Sequence, residues 1–89
     1  MAAAALVLSA AATASPDAFT VIGLPDTQNY SESYPEIFLA QTQWISSQLA
    51  SLDIRFVSHY GDVVQHGDDL EEWDNAEAAL SVLDATGVP

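Results

Sequence analysis

Two apolar, strand-like runs, each followed at once by a carboxylate, constrain this chain more than any other feature. The first is Phe19-Thr20-Val21-Ile22-Gly23-Leu24, with Asp26 after Pro25. The second is Ile54-Arg55-Phe56-Val57-Ser58-His59-Tyr60, with Asp62 after Gly61. A helical stretch lies between them, so the order is strand, helix, strand. Such units place their strands parallel and usually side by side, about 4.8 Å apart, which brings residues just past their carboxyl ends to one edge. Asp26 and Asp62 are therefore expected to share the edge where α/β sheets hold their ligands.

The apolar content of the first run suits a strand buried on both faces. A polar loop, Asp26 to Ser33, follows and carries Asn29 and Tyr30. Ser33-Tyr34-Pro35-Glu36 reads as a helix start, with Ser33 capping a free amide, Glu36 reaching back to it, and Pro35 in the first turn, where its missing N–H costs nothing. Ile37, Phe38, Trp44, Ile45, Leu49 and Leu52 then form an apolar stripe able to cover one face of the sheet. A second helix starts at Asp68-Asp69-Leu70-Glu71, where either aspartate can cap and the acids favour the positive end of the helix dipole. Leu70, Trp73, Ala76, Leu80 and Leu83 mark its expected buried face, and Thr86-Gly87 its stop. Trp44 and Trp73 are both expected in the core.

The fold class is therefore α/β, a β-α-β-α unit. Two parallel strands are stable only when covered and flanked by others, and Val88-Pro89 would open a further strand. Residues 15–89 thus read as the amino-terminal segment of a larger α/β domain with an incomplete sheet. Before it, residues 1–14 form an Ala-rich apolar run ending in Ala12-Thr13-Ala14, the small-x-small form of a signal-peptidase site. That run reads as an export signal and implies a secreted or periplasmic location. It lacks the usual basic n-region, because Arg55 is the sole Lys or Arg of the chain. A transmembrane helix needs about 20 apolar residues, more than this run supplies.

Thirteen acidic residues against one basic give a net charge of −12, and eight of the thirteen lie from Asp62 onward. Nucleic acid is disfavoured as a partner, since phosphate affinity normally comes from Lys and Arg. Cation binding is compatible with such acidity, although acidity also simply confers solubility. With no cysteine, an exported chain of this kind relies on its core or on metal for stability.

Asp26-Thr27-Gln28 after one strand and Gly61-Asp62 after the next resemble the calcineurin-like metallophosphoesterases, whose pattern opens with Asp-x-His or Asp-x-Gln and continues with Gly-Asp. The resemblance covers most of residues 19 to 89. It implies that Asp26 binds a first metal, that Gln28 stands at the neighbouring ligand position, and that Asp62 bridges two divalent ions, with Gly61 permitting the turn. Manganese, iron, zinc and magnesium all suit parts of such an oxygen and nitrogen site. The implied reaction is hydrolysis of a phosphate mono- or diester, and the implied parent fold is a mixed-sheet sandwich flanked by helices. The physical logic is independent of the family. Paired divalent ions need a bridging carboxylate to offset their repulsion, and they activate water and clamp phosphate oxygens while reversing the local negative charge.

Three departures stand out. Gln28 replaces the usual His, Gln65 stands where an acid is more frequent, and the Gly-Asn-His-acid segment and later histidines of the family are absent from this sequence. The chain therefore carries the first part of such a site and is expected to be inactive alone. No catalytic residue is identified within it.

Each of these residues also has a plainer reading. An Asp after a strand is often a turn or cap residue, and a loop Gln commonly faces solvent. His59, inside a strand, reads as a core histidine; His66 is a weak candidate for the substrate side, and neither is expected to bind metal directly. Asp68, Asp69, Glu71, Glu72 and Asp74 read as a capped, solvated helix start, since they lack the Asp-x-Asp-x-Asp-Gly order of a calcium loop. The rival function is a non-catalytic acidic module binding a cation or a protein. A third reading is a chain with no stable fold of its own.

Overall fold

The computed structural model describes residues 18–89, and the expected export signal lies outside the described residues. In chain order the elements are β1 (Thr20–Leu24), α1 (Gln28–Ser33), α2 (Pro35–Gln48), β2 (Ile54–His59) and α3 (Leu70–Asp84). The two strands pair in parallel, with Leu24 opposite His59. The described residues are thus mixed α/β, a two-stranded parallel sheet with three helices. Beyond the last paired residues the Tyr60 amide donates to the Leu24 carbonyl at 2.9 Å, which holds the two carboxyl ends level.

The polar stretch expected as a loop contains α1. Tyr34, at φ −139°, separates it from α2 and is the N-cap of α2 without any side-chain capping bond. The expected Ser33/Glu36 capping box is therefore not formed, and Ser33 closes α1 instead. Proline explains the shift. It excludes the residue before it from the helical region, so the break falls at Tyr34 rather than Ser33. At α3 the cap is as the sequence suggests, with the Asp69 carboxylate accepting from the Glu71 and Glu72 amides. Gly87, at φ +79°, follows the end of that helix in the left-handed conformation glycine tolerates.

Leu24 and Ile54 from the strands meet Ile45 of α2 and Leu83 of α3 in one buried cluster, flanked by Ile22, Leu49, Leu52, Val57 and Leu80. A second cluster forms where Ala76 and Ala79 of α3 let α2 approach closely enough to bury Phe38 completely. Burial of a side chain of that size contributes about 1.5–3 kcal/mol.

Helices α2 and α3 pack on the same side of the sheet, and several expectations are corrected. β1 is not buried on both faces: Leu24 points inward, whereas Val21 is 54% exposed and Phe56 opposite it is also exposed. Trp44 is 52% exposed and Trp73 43% exposed, so neither is a core residue. Positions 38, 42 and 45 carry the buried face of α2, leaving Trp44 and Ile37 on its flanks. In α3 the buried positions are 72, 76, 79 and 83, and Leu70 is exposed. Glu72 is thus buried, not part of a solvated helix start. The Trp73 indole N–H donates to the Gly67 carbonyl at 2.8 Å, which places that ring against the preceding loop.

Candidate functional site

The loops after β1 and β2 are joined by backbone. The Thr27 amide donates to the Asp62 carbonyl oxygen at 3.1 Å. To present that oxygen the chain turns sharply after β2, with Gly61 at φ +112° and Asp62 at φ +52°. A glycine meets the first angle freely, and aspartate is among the few side chains that tolerate the second.

Side chains reinforce the junction. His59 Nδ1 accepts from the Gly61 amide at 3.0 Å, which puts the proton of the neutral ring on Nε2. That N–H donates to Thr27 Oγ1 at 2.9 Å, and the Thr27 hydroxyl donates onward to the Val63 carbonyl at 3.1 Å. Ser31 of α1 donates to the same carbonyl at 2.7 Å. Thr27 and Ser31 are fully buried, and the His59 ring packs tilted against Phe38 at 6.2 Å between centroids. His59 is therefore a positioning residue linking both loops.

Around this junction stand the residues singled out from sequence. Asp26 and Asp62 are exposed, and Gln28 is the half-buried first residue of α1. The described ion pairs are Arg55 with Asp53, and His66 with Glu72 and Glu32, so neither carboxylate is neutralised by a described basic side chain. Two carboxylates and an amide oxygen are the hard donor types that divalent cations such as magnesium or manganese take.

A different cluster gathers below the loop. His66 Nδ1 lies 2.8 Å from Glu72 Oε2 and 3.7 Å from Glu32 Oε2. The other Glu72 oxygen accepts from the Gln65 and His66 amides at 2.8 and 2.9 Å. Hydrogen bonding to Glu72 raises the His66 pKa against the opposing effect of desolvation, and the charges of Glu72, Glu32 and Asp69 add to the rise. Burial pushes the Glu72 carboxyl up, but the His66 and Gln65 amides and the His66 ring together hold it below its ordinary value. Neither this cluster nor the His59–Thr27 link is among the expectations from sequence. A histidine two residues before a glycine turn was the one local signal for the link; the cluster had none, being assembled from three separate segments.

Fold and site together define a parallel α/β unit whose two strand-end loops, each carrying an exposed aspartate, are joined by a backbone hydrogen bond. No family profile matches the chain. No solved structure matches it either. It is 45% identical over 73 residues to the uncharacterized protein YvnB of Bacillus subtilis (strain 168), an alignment covering 82% of this chain. The match spans 6% of the length of that relative.

Proposed function

We propose that the edge carrying Asp26, Gln28 and Asp62 is part of a two-metal site that hydrolyses a phosphate mono- or diester, as in the calcineurin-like metallophosphoesterases it resembles. The observation that carries this reading is the Thr27–Asp62 backbone bond, which draws the two carboxylate-bearing loops to one edge. Two divalent ions, when bound, supply activated water and positive charge for phosphate oxygens. Asp26 and Gln28 would hold one ion, and Asp62, held at its left-handed turn, would face both. His59 and Thr27 keep the loops in register. Three protein donors do not fill two divalent coordination spheres, so this chain by itself is expected to show little or no turnover.

The test is calorimetric titration of inorganic phosphate into the chain with and without manganese. Phosphate uptake that requires manganese, and is lost in Asp62→Asn, supports the reading. Manganese binding with no phosphate uptake favours the non-catalytic cation-binding module, and the enzyme reading is then abandoned.

A further inference from the structure

Glu32 closing α1, His66 in the loop after β2 and Glu72 in the first turn of α3 bring three ligand-type atoms within 4.8 Å of one another. We propose that these residues form a second, structural cation site of one imidazole and two carboxylates, suited to zinc, that pins the loop following Asp62 between α1 and α3.

The spacing is close to what an ion requires. Nitrogen and oxygen ligands at about 2.0–2.2 Å from zinc stand roughly 3.3–3.6 Å apart in a tetrahedral arrangement, and the 2.8 and 3.7 Å separations at His66 Nδ1 straddle that range. Glu72 is buttressed as a metal-binding carboxylate should be. Its Oε1 is occupied by two backbone amides, which aim Oε2 at the imidazole. Glu32 and His66 are exposed, so an ion can enter and complete its coordination with water.

The rival occupant is a proton. An imidazolium paired with Glu72 accounts for the 2.8 Å contact. It leaves Glu32 at 3.7 Å, a charge pairing without a hydrogen bond. An ion shared by all three groups uses both carboxylates and offsets their charge within a chain of net charge −12. In this arrangement His66 serves as a ligand and is unavailable to substrate. The site is independent of the Asp26–Asp62 edge and of the reaction proposed for it.

Titration of the 89-residue chain with zinc chloride at neutral pH, followed by calorimetry and by the thermal midpoint, tests the assignment. The expected result is one saturable zinc site whose affinity falls at least about tenfold in Glu32→Gln and in His66→Ala. The zinc-induced rise in midpoint should disappear with it, while Asp26→Asn retains both. Glu32 is exposed and its described side-chain contact is the 3.7 Å approach to His66, so its substitution should leave the fold in place. Undiminished affinity in Glu32→Gln, or no saturable zinc binding by the parent chain, would overturn the assignment.

Discussion

The Thr27 amide and the Asp62 carbonyl oxygen, 3.1 Å apart, tie the loop after β1 to the loop after β2. The bond depends on the left-handed Gly61-Asp62 turn and is braced by the His59 to Thr27 hydrogen bond at 2.9 Å. The placement of Asp26 relative to Asp62 is therefore set by backbone and buried side chains, not by the carboxylates themselves. A cation would meet an edge already assembled, which is the arrangement a precise binding site needs.

Thr27→Val preserves the shape of that junction and removes its hydroxyl. The His59 Nε2–H then loses its acceptor inside a largely buried network, at a cost of about 1–3 kcal/mol. Thr27→Ser keeps the hydroxyl and should lose much less. Urea unfolding compares the two, and equal midpoints would show that the hydroxyl contributes nothing.

Asp62 combines an unfavourable backbone conformation with a carboxylate at the edge, and substitutions separate the two. At φ +52°, Asp62→Ala should destabilise the chain by about 1–2 kcal/mol, whereas Asp62→Gly should stay close to the parent. Both should lose manganese affinity alike. If Asp62→Ala matched Asp62→Gly in stability, the turn would not be restrained as described.

Parallel pairing and the shared edge were legible because their signals are local: two apolar runs, and a glycine followed by an acid. α1 was not, since Gln28–Ser33 has no apolar periodicity. Tertiary bonds hold it, from Ser31 Oγ to the Val63 carbonyl and from Asn75 Nδ2 to the Ser31 carbonyl. Trp44 and Trp73 read as core because apolar spacing cannot reveal that only one sheet face is covered. Glu72 looked like one solvated acid among five, yet its environment is made by amides six and seven residues earlier. At the edge, Asp26, Gln28 and Asp62 are the candidates the sequence offers, whereas the parts of Thr27 and His59 rest on a contact between residues 32 apart, with the His59-to-Gly61 spacing as the one local hint.

The same His66–Glu72 pair gives the metal-free chain a pH-dependent stability with a defined sign. The His66 pKa is raised above its ordinary 6.5, so its contribution is complete below that value and is lost as pH rises through the higher folded-state value. The Glu72 pKa is lowered from its ordinary 4.5, so its contribution is present above that value and is lost as pH falls through the lower one. Glu72, Glu32 and Asp69 are the acids acting on His66. The stability difference between the parent and His66→Gln, measured by urea unfolding in chelator, should therefore be greatest between pH 4.5 and 6.5. Solvent screening keeps it modest, because the His66 side chain is 56% exposed. A difference that does not vary with pH would contradict the pairing.

Phe38 and Trp44 lie on one helix with opposite fates. Phe38→Ala empties the junction between α2 and α3 and should cost about 3–5 kcal/mol, enough to unfold a small domain. Trp44→Ala removes a ring that is half in solvent and should cost far less. Circular dichroism during thermal unfolding distinguishes them. A loss for Trp44→Ala as large as that for Phe38→Ala would contradict the one-sided core.

Electron paramagnetic resonance titration of manganese distinguishes one cation site shared by Asp26 and Asp62, as proposed, from no shared site. A shared site gives a bound manganese signal whose affinity falls at least about tenfold in Asp26→Asn and likewise in Asp62→Asn, while Glu32→Gln leaves it unchanged. Manganese binding unaltered by either aspartate substitution would contradict it.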